Sequence, residues 1–182
     1  MILPVYLLGH PVLREECEDI TSEYPELKKL VADMFETMYN SDGVGLAAPQ
    51  IGLPISVLVI DGSPLADDFP ECKDLKMACI NPELEVIEDE TPVSRQEGCL
   101  SIPGVSENVK RYEHVVLRWF DEDFQPHEQE FRGFASRIIQ HEFDHLCGEV
   151  FTDHIAPIRK QLIRAKLNNI AKGKVKCSYR VK

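Results

Sequence analysis

GFASRIIQHEFDHLC, residues 133–147, carries a helical periodicity and a chemical pattern in the same fifteen positions. Phe134, Ile138, His141 and His145 recur at spacings of four, three and four, so they share one helix face. Gly148 follows as a stop. Within the helix, H-E-x-x-H sets His141 and His145 one turn apart, where both rings can reach the same metal ion. Glu142 stands beside them, able to take a proton from water without being a ligand. A solvent-facing helix would have polar neighbours here. Instead IIQHEFDHL is amphipathic with both histidines on or near its apolar side, which predicts a central helix with a hydrophobic pocket beside the metal.

Outward from this helix, ISVLVI (55–60), ACINPELEVI (78–87) and HVVLRWF (114–120) read as strands, and residues 61–76 as a polar loop. PELKKLVADMFETMY (25–39) places Leu27, Leu30, Val31, Met34, Phe35 and Met38 on one helix face, with Pro25 in the first turn and Asn40–Gly43 as the stop. A third helix is expected from Pro157 to about Ala171, its apolar face carrying Ile158, Leu162, Ile163 and Leu167. The alternating VKCSYRV (175–181) suits a last strand. Strands that precede a central helix, rather than alternating with helices, predict an α+β fold. Mixed or antiparallel strands then pack around the metal-binding helix in one domain, residues 1–182.

A chain of 182 residues with 43% apolar and 28% charged content can bury a core of its own. No run approaches the roughly 20 apolar residues a membrane span needs. MILPVYLLGHPVLR (1–14) has no basic leading region and no small-residue cleavage site, so it is expected to belong to the fold of a cytoplasmic protein. Six cysteines without a C-x-x-C pair exclude a zinc knuckle or thioredoxin-type motif. The net charge of −11 is uneven: residues 154–182 hold nine Lys or Arg and no acid. Such a segment either lies against the acidic body or touches nucleic acid such as ribosomal RNA.

Two histidines leave a catalytic site one protein ligand short. Glu149 and His154 are the downstream candidates. Upstream, Cys99 in QEGCLSIPG (96–104) is the stronger one, a soft thiolate in a turn marked by Gly98 and Pro103.

Three segments together resemble the peptide deformylase family: GVGLAAPQ (43–50), EGCLS (97–101) and QHEFDH (140–145), with similar flanks at 2–14 and 151–164. The resemblance implies that Cys99, His141 and His145 hold one divalent ion, Fe²⁺ by family preference, with Zn²⁺, Ni²⁺ or Co²⁺ also suited to the donors. It implies Glu142 as general base and acid, and Gln50 and Leu100 N–H as partners of the oxyanion. Val44, Gly45, Gly98, Phe134, Arg137 and Ile138 would bind an N-formylmethionyl nascent peptide, which loses formate. Gly45, lacking a side chain, would let the peptide backbone approach. The stems of Arg95 and Arg137 would wall the methionine pocket with their charged heads in solvent, and Asp144 would pair with Arg111. The basic segment 154–182 is expected to reach the ribosome, and a monomer is expected. The competing expectations are a zincin-like metalloprotease, which needs no Cys ligand, and a non-catalytic paralogue, which needs no general base.

Overall fold

Val57–Asp61 is buried at every position, which is why VLVI, ahead of Asp61, reads as an unbroken apolar run instead of an alternation. Alternate side chains still go opposite ways. Leu58 and Ile60 join a core with Ala135, Ile138, Ile139 and Leu146, whereas Val57 and Val59 pack with Leu27, Val31, Met34 and Met38. A helix therefore covers each face of this strand.

A computed structural model describes residues 1–182. Strands β1 (Gly45–Ala47), β2 (Val57–Asp61), β3 (Lys76–Val86), β6 (His114–Phe120) and β7 (Pro126–Arg132) form a five-stranded sheet in the order β1-β2-β3-β6-β7. Strands β4 (Val93–Cys99) and β5 (Ile102–Arg111) form a separate hairpin, and every pairing is antiparallel. Helix α1 (Leu27–Asn40) lies on one face of the large sheet, and α2 (Gly133–Leu146) on the other, between it and the hairpin. The arrangement is α+β, with α2 central. No helix is long and apolar enough to cross a membrane. All six cysteines are free thiols.

Several expectations are corrected in detail. Pro25 lies outside α1, because Glu26 takes a left-handed conformation (φ 54°) just before the helix begins. The third helix is two: α3 (Pro157–Leu162) and α4 (Arg164–Ala171), broken at Ile163. Ile163 and Ile170, with Leu167, turn into the core under β5, while Ile158 and Leu162 remain 63% and 64% exposed. Residues 175–181 keep their alternation but form no ladder, since they meet only one bridge partner, Val5 with Val181. Pro103 sits inside β5, not in the turn. It falls opposite a bulge where the register jumps from Gly98↔Ser106 to Cys99↔Ile102, so its missing N–H costs no ladder bond.

Candidate metal centre

Helix α2 is buried on most of its circumference, and its C-terminus is closed by Gly148 at φ 73°. A side chain there would press on the Arg14 carbonyl, its Cβ only 2.6 Å from the oxygen. This fixed end sets the depth of the last turn, and with it His141 and His145. Cys99 comes from the hairpin: the bulge at the end of β4 redirects its side chain, bringing Sγ to 3.3 Å from His145 Nε2. One donor atom from each of Cys99, His141 and His145 lies within 4.8 Å of the others. Glu149 and His154 are not part of this set; they cluster with Asp144, 3.1 and 3.3 Å separating His154 Nε2 from the two carboxylates.

The donors suit a divalent ion. His141 gives its Nδ1 to Glu97 at 2.9 Å, which leaves Nε2 for the metal and fixes the ring plane. One thiolate and two imidazoles form a soft, three-ligand set of the kind that leaves a coordination position open. Glu142, only 5% exposed, keeps one buried carboxylate oxygen, Oε2, without a hydrogen-bond partner. Burial pushes its pKa up to about 7, with the charge of His141 opposing and those of Glu97 and Asp144 adding. An acid–base group poised near neutrality beside a metal-ligand set can move protons at physiological pH.

Gln50 is held in a short 3₁₀ turn, Ala48–Ile51. Its Oε1 accepts the Ala47 N–H at 2.9 Å, which turns Nε2 toward Cys99 Sγ (3.5 Å) and Ser101 Oγ (3.2 Å). The Leu100 N–H, in the turn after Cys99, is taken up by no backbone carbonyl. Both donors border a cavity of about 550 Å³ that also reaches Val44, Gly45, Gly98, Phe134, Arg137, Ile138, His141 and Glu142. Gln50, Cys99, Leu100, His141, Glu142 and the expected substrate-binding residues thus line one cavity, and His145 sits behind Cys99.

Two residues play different parts from those expected. Arg137 does not send its charge to solvent: it is 1% exposed, and its guanidinium bonds Glu97, Glu113 and the carbonyls of Val109 and Val93 at 2.6–2.9 Å. Arg95 lies outside the cavity wall, bonded to Glu113 and resting over the Phe69 ring, which stacks on Phe134 at 4.2 Å. Glu97 lies within EGCLS, but its role comes only from partners on other elements. Its carboxylate takes Arg111 Nε at 2.7 Å and Nη2 at 3.0 Å, Arg137 at 2.7 Å and His141 at 2.9 Å. Burial opposes its charge, but the bonds from His141 and Arg111 hold its pKa well below the usual carboxylate range. The expected Arg111–Asp144 pair is present at 3.0 Å, as one arm of this larger network.

A soft ligand triad beside a buried acid, on a helix enclosed between two sheets, defines a metal-dependent hydrolase. A family model described as polypeptide deformylase matches residues 2–161, and the chain belongs to that family. It is 48% identical to the peptide deformylase of Flavobacterium johnsoniae and 43% identical to that of Christiangramia forsetii, in each case over 100% of this chain and 96% of the relative. Among solved structures it is similar to the peptide deformylase of Thermus thermophilus (34% identity, TM-score 0.82, covering 95% of this chain and 99% of that one). The peptide deformylase of Thermotoga maritima is similar too (36% identity, TM-score 0.77, 86% and 99% covered).

Proposed function

We propose that this chain, as one catalytic domain over residues 1–182, hydrolyses the formyl amide of N-formylmethionyl nascent peptides in the cytoplasm, releasing formate and a free amine. The observation that carries the reading is the convergence of the Cys99–His141–His145 donors beside Glu142, whose Oε2 has no hydrogen-bond partner, at a cavity that Cys99, His141 and Glu142 line. Those three residues would hold one divalent ion, Fe²⁺ by family resemblance, with Zn²⁺, Ni²⁺ or Co²⁺ compatible with the same donors. Such an ion supplies Lewis acidity, polarising a carbonyl and making hydroxide available near pH 7.

The protein's own groups do the rest. Glu142 Oε2 accepts the proton of the attacking water and returns it to the departing amine nitrogen. Gln50 Nε2 and the Leu100 N–H meet the formyl oxygen as it gains charge. Val44, Phe134 and Ile138 enclose the methionine side chain, and Gly45 and Gly98 leave room for the peptide backbone. Arg137 borders the pocket through its stem, its charge being spent on Glu97 and Glu113. The enzyme works as a monomer, and its basic segment 154–182 bears on the ribosome, where the substrate emerges.

The test is formate release from formyl-Met-Ala-Ser by anaerobically prepared, metal-replete protein, beside Glu142→Gln. The wild type is expected to release formate. The variant should keep its metal and lose about 10²–10⁴ of the rate. A metal-replete wild type that releases no formate overturns the proposal.

A further inference from the structure

Residues 174–182 leave α4 and cross back over the molecule without a regular ladder, bending at Ser178 and Tyr179, and are held at both ends. Lys174 N–H bonds the Asn169 carbonyl at 2.8 Å. At the far end, Val5 N–H bonds Arg180 O, Lys182 N–H bonds Val5 O and Leu7 N–H bonds Lys182 O, at 2.9–3.0 Å. Between these anchors Val175, Cys177, Tyr179 and Val181 are half-buried, while Lys176, Ser178, Arg180 and Lys182 are exposed. Lys176 to Tyr179 border the same cavity as Cys99, His141 and Glu142. Nothing in the ligand motifs calls for these residues, and they lie beyond the segment that the family model matches.

The Tyr179 hydroxyl donates to the Leu100 carbonyl at 2.7 Å. The next carbonyl, of Ser101, accepts the Leu8 N–H at 2.9 Å, and Ser101 Oγ accepts Gln50 Nε2 at 3.2 Å. Segments from both ends of the chain therefore grip the two-residue turn between β4 and β5. Leu100 has its carbonyl held, its N–H bonds no backbone carbonyl, and the residue borders the cavity. The Leu100 N–H lies in the Cys99–Leu100 peptide plane and the held carbonyl in the next one, so anchoring Cys99 before the unit and the Leu100 carbonyl after it restricts the φ and ψ rotations by which that N–H could turn away. A donor that stabilises developing charge acts through being aimed in advance. Packing alone would be served equally by phenylalanine; the hydroxyl is what the Leu100 turn uses.

We infer that Tyr179 is a positioning residue of the active site, orienting the Leu100 N–H toward the substrate carbonyl, and that the C-terminal strap is thereby part of the catalytic cavity. This rests on the deformylase reading above. The test is Tyr179→Phe in the full, metal-replete chain, with formyl-Met-Ala-Ser as substrate and amide exchange of Leu100 followed by NMR. Removing an oxyanion donor outright costs about 10²–10³ in kcat, and loosening its aim should cost less, roughly tenfold. KM, metal content and Tm should stay unchanged, and the Leu100 amide should exchange faster. An unchanged kcat overturns the inference. So does a loss of kcat accompanied by falling Tm or metal content, since that marks a merely structural tyrosine. A wild type without formate release removes the deformylase reading and this inference together, whereas an active wild type with an equally active variant removes only the inference.

Discussion

Gly45 and Glu142 touch across the boundary between the first strand of the sheet and the central helix. A Cβ on Gly45 would lie 2.6 Å from Glu142 Cγ and Cδ, so the glycine makes room for the acid as well as for a substrate backbone. Its φ is not positive, and an alanine would therefore be tolerated by the backbone and resisted only by Glu142. Gly45→Ala should displace the carboxylate by a fraction of an ångström to an ångström and lower kcat on the order of 10²-fold. Metal content should hold and KM should rise as the substrate backbone loses room, as steady-state kinetics with metal analysis would show; an unaltered kcat would contradict the contact. At this scale the candidate donor set Cys99, His141 and His145 was legible, because HExxH and EGCLS carry its residue types and spacing. Glu97 was not, because its meaning depends on Arg111, Arg137 and His141, which come from two other elements.

Between elements, the same network joins the β4–β5 hairpin to α2. Arg111 at the end of β5 spans Glu97 on β4 and Asp144 on the helix, and all but a small part of its side chain is buried. Removing one member of a buried charge network leaves its partners uncompensated, at a cost of about 3–5 kcal/mol. Arg111→Ala should lower Tm on the order of 10 °C in a chain of this length. It should also weaken metal affinity about 10–100-fold through the lost support of Glu97 on His141. Thermal unfolding with and without added Zn²⁺ reads both effects, and unchanged values would contradict a bracing role. Strand β2 and helix α2 could be read from their patterns. Strand β5 was hidden, because Glu107 and Arg111 share its inward face with Val105 and Val109, so apolar alternation is broken by groups that become buried only once paired. Strand β7 is an exposed edge whose polar sequence carries no alternation.

Across the whole molecule, a net charge of −11 is divided between an acidic body and the basic residues 154–182. Part of that segment is anchored internally: Arg159 bonds Glu107 at 2.7 and 2.9 Å, tying α3 to β5. Arg164, Lys166 and Lys172 are exposed and form no ion pair. If they meet ribosomal RNA, reversing all three to Glu should weaken co-sedimentation with ribosomes and flatten its dependence on salt, while formate release from a short peptide stays unchanged. Undiminished co-sedimentation would place the contact elsewhere. By itself the sequence determined the helix, its two histidines and the acid beside them, because period and spacing are properties of a single segment; the family came through the resemblance of three segments. Tertiary structure alone decided the burial of Arg137, the support of His141 by Glu97 and the return of Tyr179 to the Leu100 turn. Each of these joins residues far apart in the chain, and the physical state of a charge or hydroxyl is set by the partners that folding brings to it.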